Sequence, residues 1–321
     1  MPNAKGAGGA SAALRLKDIE WPTMWVFVLS WTFWLALVVL GNQLHPLIFI
    51  LLAGFIGTWH ASFQHEAIHG HPTTSERLNR ALAMPSMVFW MSYEDYRSTH
   101  LAHHVNENLT HPDLDPESFY QWEYIWSQHR GPMRWILRAN NTLVGRMSIG
   151  AVLMVGRCAY KELKGLLRLD RHTWAMLSRH WLASLPMVII AIGVFNVPWW
   201  VYFLGFGLAP ASWLCLRSFL EHEASEGVGR RTAMVYDNLL PASWPFTGFF
   251  SLLFLNNNLH VAHHAAPRVP WYELPRHEQE NRQELIDWNE DNKFHSYGEV
   301  IGRFSMRTKK PVAHPILRKQ L

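Results

Sequence analysis

Three short histidine-rich segments carry the chemistry that this sequence can perform. Residues 65–69 read His-Glu-Ala-Ile-His, residues 100–104 read His-Leu-Ala-His-His, and residues 260–264 read His-Val-Ala-His-His. On a helix, positions three or four residues apart lie on one face, so each segment directs two or three imidazoles the same way. Neutral imidazole is the commonest side-chain ligand for iron, zinc and copper. These eight histidines exceed the four ligands of a closed zinc site, so the pattern predicts two metal ions in one shared site.

Four apolar runs must position these histidines. Each run approaches the roughly 20 residues that a helix needs to cross a bilayer. The links at residues 42–45 and 195–198 are short and contain no Lys or Arg, which is typical of antiparallel helical hairpins. The predicted fold is an all-α integral membrane protein, with four transmembrane helices in two hairpins and a cytoplasmic helical cap that carries the histidine segments. The predicted spans cover about residues 24–41, 46–63, 181–197 and 198–220.

The distribution of positive charge predicts the orientation of these spans. Lys and Arg are frequent in the N-terminal tail, between residues 64 and 180, and in the C-terminal tail. Loops rich in Lys and Arg stay on the cytoplasmic side, so both termini and the metal site are expected there. Two further apolar stretches, at residues 81–91 and 147–156, are too short to span and are predicted to be interfacial or packed helices.

His222 is a candidate ninth ligand because it stands at the cytoplasmic end of the fourth predicted span, at the depth expected for His65. If the second helix continues without a break, His60 and His71 point away from His65 and are not expected to bind metal. The complete predicted ligand set is His65, His69, His100, His103, His104, His222, His260, His263 and His264.

Composition agrees with a membrane protein and argues against other classes. Of the 321 residues, 49% are hydrophobic and only 17% are charged. The net charge of +4 is not arranged as a basic run interleaved with aromatics, so nucleic acid is not an expected partner. Cys158 and Cys215 lack the spacing of a disulfide framework or a CxxC metal site. We predict a disordered tail at residues 1–20, a membrane domain at 21–275 and a cytoplasmic tail at 276–321.

These motifs resemble the membrane fatty acid desaturase superfamily. The resemblance rests on the three histidine segments, on Asn256-Asn257-Asn258 before the third one, and on the proline- and tryptophan-containing stretch at residues 267–275. It covers about residues 24–275. The pattern of three histidine boxes in a membrane setting is specific for the superfamily but does not identify a substrate.

The resemblance implies a non-haem di-iron centre that activates O2 at the cytoplasmic face of a four-span membrane domain. In the acyl-CoA desaturases nine histidines hold the metals and the extra one follows the fourth span, which supports His222 here. Those enzymes have an Asn four residues before that histidine, where this chain has Ser218. The first box here has three intervening residues, which favours the broader branch of Δ12-type, lipid-acting and other desaturases.

Desaturation of a fatty acyl chain is the function that these features favour, whether the chain is carried by a lipid or a thioester. The alternative in the same class is a di-iron hydroxylase or ketolase that acts on a lipid or a carotenoid. A metal transporter is a third reading, but transporter sites usually lie near the bilayer midplane rather than at span ends. The sequence contains no haem, iron–sulfur or nucleotide motif, so electrons are expected from a separate ferredoxin-like donor at the basic face.

Other residues could assist the site. Carboxylates near the boxes could hydrogen-bond the second nitrogen of a ligand imidazole, and aromatic residues could line a narrow tunnel for a bent acyl chain. The candidate carboxylates are Glu66, Asp95, Glu107, Asp113, Asp115, Glu221 and Glu223. The candidate tunnel residues are Phe89, Trp90, Tyr93, Tyr96, Trp213, Phe219, Phe249, Phe250 and Phe254.

Overall fold

The computed structural model describes residues 16–105, 109–224 and 232–315. Regular structure in these ranges is almost entirely helical, with one parallel pair of two-residue strands, β1 (Met234–Val235) and β2 (Lys293–Phe294). The α-helices are α1 (Trp21–Val39), α2 (Pro46–Ile68), α3 (Glu76–Ala83), α4 (Tyr93–Val105), α5 (Glu123–Gln128), α6 (Gly131–Ala139), α7 (Leu143–Leu167), α8 (Arg171–Val194), α9 (Trp199–Glu221), α10 (Phe249–Leu253), α11 (His260–Ala265), α12 (Leu274–Glu280), α13 (Arg282–Trp288) and α14 (Tyr297–Phe304).

Five of these helices, α1, α2, α7, α8 and α9, are long and apolar enough to cross a membrane, whereas the sequence predicted four spans. Residues 147–156, predicted to form an interfacial or packed helix too short to span, lie within α7, which continues beyond this stretch at both ends. The span predicted at 181–197 also begins earlier, at Arg171, where the Asp170 side chain accepts a hydrogen bond from the backbone N–H of Thr173 at 2.8 Å and caps α8.

The starts of the other long helices follow from their first residues. Pro22 and Pro46 lie in the first turns of α1 and α2, where proline costs no hydrogen bond. Nδ1 of His45 accepts a hydrogen bond from the backbone N–H of Leu47 at 3.2 Å, which caps α2. Pro198 directly precedes α9 and ends the link from α8. Each break between apolar runs is therefore marked by a residue that favours a new helix.

The core of the bundle is the pair α2 and α9, and α1 packs on the other side of α2. Small residues let the two backbones approach closely, as is common between helices in membranes. A Cβ atom added at Gly57 would lie 2.6 Å from Cγ of Pro210. On the outside of the bundle, apolar side chains such as Leu51 and Leu182 are largely exposed, which suits contact with lipid.

The segments outside the long helices cover one end of the bundle. Helices α3 to α6 lie between α2 and α7 in the chain, and α10 to α14 follow α9. The C-terminal residues return to this end, since Nζ of Lys309 donates a hydrogen bond to the backbone oxygen of Phe219 at 2.8 Å. The predicted boundary at residue 275 falls inside α12, and Ile19 pairs with Thr73 although it was assigned to the disordered tail. Residues 1–15 of that tail lie outside the described residues.

Candidate metal centre

The histidine segments occupy helix ends that meet on one side of the bundle. His65 lies in the last turn of α2 and His69 directly follows this helix. The second segment, residues 100–104, is part of α4, and the third, residues 260–264, forms most of α11. His222 directly follows α9. The nine predicted ligands therefore come from four separate helices, and long-range packing must bring them together.

Five of the predicted ligands form a first group, in which the ligand atoms all lie within 4.8 Å of one another. Nε2 of His100 lies 3.1 Å from Nε2 of His69 and 3.1 Å from Nε2 of His104. Nε2 of His263 is 3.1 Å from that of His104. We call this set group one: His65, His69, His100, His104 and His263.

The other four form a second group of the same kind. Nε2 of His222 lies 2.8 Å from Nε2 of His103 and 3.0 Å from Nε2 of His260. Nε2 of His264 is 3.1 Å from that of His260. We call this set group two: His103, His222, His260 and His264.

The second and third histidine segments divide between the groups in opposite ways. On α4, the i, i+4 pair of His100 and His104 belongs to group one, and His103 belongs to group two. On α11, the i, i+4 pair of His260 and His264 belongs to group two, and His263 belongs to group one. Each HxxHH motif therefore contributes to both groups, which holds the groups side by side.

The geometry of both groups fits a metal ion. Two imidazole nitrogens bound to one ion at about 2.1 Å and about 90° apart are separated by about 3 Å, and the Nε2 pairs described above have this spacing. Nε2 of His65 is buried and has no hydrogen-bond partner among the described residues, as expected for a lone pair reserved for a ligand. The donor set is entirely imidazole, which suits iron, zinc or copper.

The protonation of these histidines also suits metal binding, which requires the neutral ring. Burial and the neighbouring His100 lower the pKa of His104 to about 3, and burial lowers the pKa of His69 and His264 as well. His103 differs: burial alone would lower its pKa, but the carboxylates of Glu117 and Asp115 raise it to about 9.

Two carboxylates hold the rings of α4 in place. Nδ1 of His100 lies 2.9 Å from Oε1 of Glu117, and Nδ1 of His103 lies 2.9 Å from Oδ1 of Asp115. In each pair the Nδ1–H donates to the carboxylate and leaves Nε2 free to face its group, an arrangement common around metal-binding histidines. Asp115 also accepts a hydrogen bond from the backbone N–H of Thr110 at 2.7 Å, so its position is fixed by the loop.

On the third segment an amide takes the place of a carboxylate. Oδ1 of Asn257 lies 3.2 Å from Nδ1 of His260, and Nδ2 of Asn257 donates to Oε1 of Glu221 at 2.7 Å. The hydroxyl of Ser218 donates a hydrogen bond to the backbone oxygen of Cys215 at 3.2 Å. Asn257 and Glu221 therefore orient a histidine of group two, and the bond of Ser218 stays within its own helix.

The structure adds residues that the sequence analysis missed and sets others apart. Glu117 was not among the candidate carboxylates, although it stands two residues from Asp115 on the same loop. His60 contacts the backbone oxygen of Pro85, and His71 pairs with Glu20, and neither belongs to the two groups.

Among the candidate tunnel residues, Tyr96 lies nearest to the histidines. Its ring centroid is 5.7 Å from that of His100. Phe89 packs on Phe203, and Phe250 stacks on Tyr297 at 3.8 Å, so both contribute to packing.

Comparison with known protein families identifies one match. The family model described as Fatty acid desaturase matches residues 42–289, a range that includes every histidine of the two groups. No curated protein matches the chain.

Proposed function

The chain belongs to the fatty acid desaturase family, and from this premise we propose that it desaturates a fatty acyl chain in an O2-dependent reaction. In the balanced reaction a CH2–CH2 unit, one O2, two electrons and two protons become a CH=CH unit and two water molecules. The observation that carries the proposal is the convergence of nine histidines into two adjacent groups. The apolar helices of this multi-pass membrane protein support a substrate that comes from the lipid phase.

Two iron ions are the cofactors that we assign, one to group one and one to group two. Iron would supply the oxidising power needed to remove hydrogen from an unactivated methylene, which no amino-acid side chain has. The protein holds the imidazoles in fixed orientations and keeps water away from them, since six of the nine histidines are buried. Glu117 and Asp115 accept the Nδ1 protons of two ligands, which keeps each Nε2 available.

Electrons would enter from a separate protein at the partly exposed edge of the site. His69, His104 and His264 are the three members of the groups that retain some exposure. The segment between residues 64 and 180 carries many Arg and Lys residues, and an acidic ferredoxin-like donor would be attracted to it. The substrate that we assign is a lipid or fatty acyl chain that reaches the site from the membrane.

The shared metal site also bears on the topology that we propose. His69 follows α2, His222 follows α9, and the two groups of histidines are adjacent, so α2 and α9 end on the same side of the membrane. If both α7 and α8 crossed, these ends would face opposite sides. We therefore infer that only one of the two crosses.

The helix that does not cross is α7. Its second half carries Arg157, Lys161 and Lys164, and Nζ of Lys161 pairs with Asp95 on the histidine-bearing α4. In contrast, α8 is the more apolar of the two and is joined to α9 by residues 195–198 alone. The proposed protein has four spans, with α7 in or near the interface, and the active site and both termini are cytoplasmic by the positive-inside rule.

A second candidate function is hydroxylation or ketolation of a lipid or carotenoid. The observation that favours it is a polar contact beside His100, where the guanidinium of Arg217 lies 3.4 Å from the hydroxyl of Tyr96. A polar pair at this position suits a substrate or product that carries a hydroxyl or keto oxygen near the reacting carbon.

The two candidates differ in the mass of their products. Expression with a suitable electron donor, followed by mass spectrometry of the host lipids, should reveal a lipid that has lost two hydrogens. The same host expressing H263A should lack this lipid. A product heavier by one oxygen, without a new double bond, would reject desaturation in favour of the second candidate.

A further inference from the structure

A buried ion pair lies in the C-terminal part of α9, within the last turns before His222. Arg217 and Glu221 are both buried, and Nε of Arg217 is 2.8 Å from Oε1 of Glu221. The i, i+4 spacing places both side chains on one face of the helix. Removing a guanidinium from water is costly, and a buried ion pair is therefore weak evidence for added stability. The position of this pair next to group two indicates a role other than stabilising the fold.

The ion pair is connected to group two through one amide. Oε1 of Glu221 accepts a hydrogen bond from Nδ2 of Asn257 at 2.7 Å. Oδ1 of the same amide lies 3.2 Å from Nδ1 of His260, whose Nε2 is 3.0 Å from that of His222. A continuous set of contacts thus runs from Arg217 to a predicted metal ligand.

The amide has only one orientation that satisfies this arrangement. Its NH2 group must point at the carboxylate of Glu221, which places its oxygen at Nδ1 of His260. The Nδ1–H of His260 then donates to Asn257, and Nε2 keeps its lone pair directed into group two. Arg217 also reaches the hydroxyl of Tyr96 at 3.4 Å, so its guanidinium is held between α9 and α4.

We propose that Arg217 is a positioning residue for the second metal, because it fixes the carboxylate of Glu221 and thereby the orientation of Asn257 and His260. The inference rests on the proposed di-iron function. It predicts an asymmetric effect: loss of Arg217 weakens binding in group two and leaves group one intact. Arg217 itself contacts none of the nine histidines through a hydrogen bond in the described part of the chain.

The test measures metal binding rather than turnover. Purified full-length R217M and R217K are titrated with Co(II), whose visible absorption reports the coordination of each ion. In R217M we expect one ion to bind as in the wild type and the second to bind about 10- to 100-fold more weakly, the usual cost of losing an outer partner of a ligand. R217K should lie closer to the wild type, because it retains a cation at this position.

A matched control is available on α7. Arg146 is equally buried, makes no ion pair with any described residue and packs over the ring of Phe119 at 3.7 Å. R146M should therefore bind two ions as the wild type does. If R217M does not fold, N257A breaks the same connection closer to the ligand and should weaken the second ion by a similar factor.

The outcomes separate this inference from the proposed function. If wild-type protein binds fewer than two ions, the di-iron function itself fails. If wild-type protein binds two ions and R217M or N257A binds both with unchanged affinity, Arg217 has no positioning role. Equal weakening of both ions in R217M would also overturn the proposal, because it would indicate a general structural defect.

Discussion

The imidazole of His104 stacks on the imidazole of His264, with ring centroids 4.2 Å apart and ring planes 12° from parallel. The two residues belong to different groups, and both are partly exposed. The stack therefore joins the two groups at the edge that faces solvent. Two ions bound on either side of it would be neighbours within one site rather than occupants of separate sites.

Single ligand substitutions should empty one group at a time. H263A removes a ligand of group one and H264A removes a ligand of group two, so each purified variant should retain about one iron per chain instead of two. Elemental analysis after reconstitution measures this directly. H180A is the control, because His180 is buried against the backbone oxygen of Phe89 and lies outside both groups. Zinc alone in the wild type would refute the assignment of iron.

Removal of a carboxylate behind a ligand should reduce activity while the fold is kept. E117Q and D115N each weaken the acceptor for an Nδ1–H, so a loss of about 10- to 100-fold in activity or metal affinity is expected. D113N is the matched control, since Asp113 is exposed and its carboxylate accepts a hydrogen bond from Nε1 of Trp122 rather than from a histidine of either group. Comparable losses in all three variants would mean that loop charge, rather than ligand orientation, is the cause.

Metal binding in group two should depend on pH more steeply than in group one. The pKa of His103 is raised to about 9 by Glu117 and Asp115 in spite of burial, so in the metal-free protein its ring is protonated at pH 7. Binding must displace that proton, and affinity should rise about tenfold per pH unit from pH 7 to 9. The pKa of His104 in group one is lowered to about 3, so no such proton is released there. Competition with a chelator at several pH values measures both slopes, and D115N should flatten the slope of group two.

The proposed topology predicts on which side of the membrane four positions of the chain lie. Reporter fusions at residue 120, in the link 168–170 between α7 and α8, and at the C-terminus should all report the cytoplasm, and a fusion in 195–198 should report the opposite side. An external signal from the link 168–170 would mean that α7 crosses. If α8 also crosses, that result would place the ends of α2 and α9 on opposite sides of the membrane.

Close packing of α2 against α9 should be sensitive to a single added side chain. G57L would drive its side chain into Pro210, where even a Cβ would lie 2.6 Å from Cγ, so a loss of about 1–3 kcal/mol is expected. Thermal unfolding in detergent, with bound metal content as a second readout, measures the effect. G156A is the control, because a Cβ there meets no atom within 4 Å and alanine favours the helix. Equal melting temperatures for G57L and the wild type would contradict this packing.

Local features of the sequence were enough to predict the helical membrane fold and the nine histidines. Apolar runs and HxxHH spacing act within one or two helical turns, so their consequences can be predicted without knowing which elements pack together. The same reasoning underestimated the length of α7, because a helix can continue from an apolar stretch into basic residues such as Lys161 and Lys164, and the fall in hydropathy there does not mark its end. The sequence placed His222 near the site because this residue stands at the cytoplasmic end of the fourth predicted span.

The division of the histidines into groups depends on tertiary structure. His100 and His103 lie three residues apart on one helix, yet they belong to different groups because His100 faces His69 after α2 and His103 faces His222 after α9. Glu117 and Asn257 could not be assigned to particular rings, since hydrogen bonds across the fold depend on loop positions that no local pattern specifies. The sequence by itself identified the nine histidines that we propose as ligands and the helices that carry them. Only the packing of α2, α4, α9 and α11 decided which histidine belongs to which group, because that depends on distances between residues far apart in the chain.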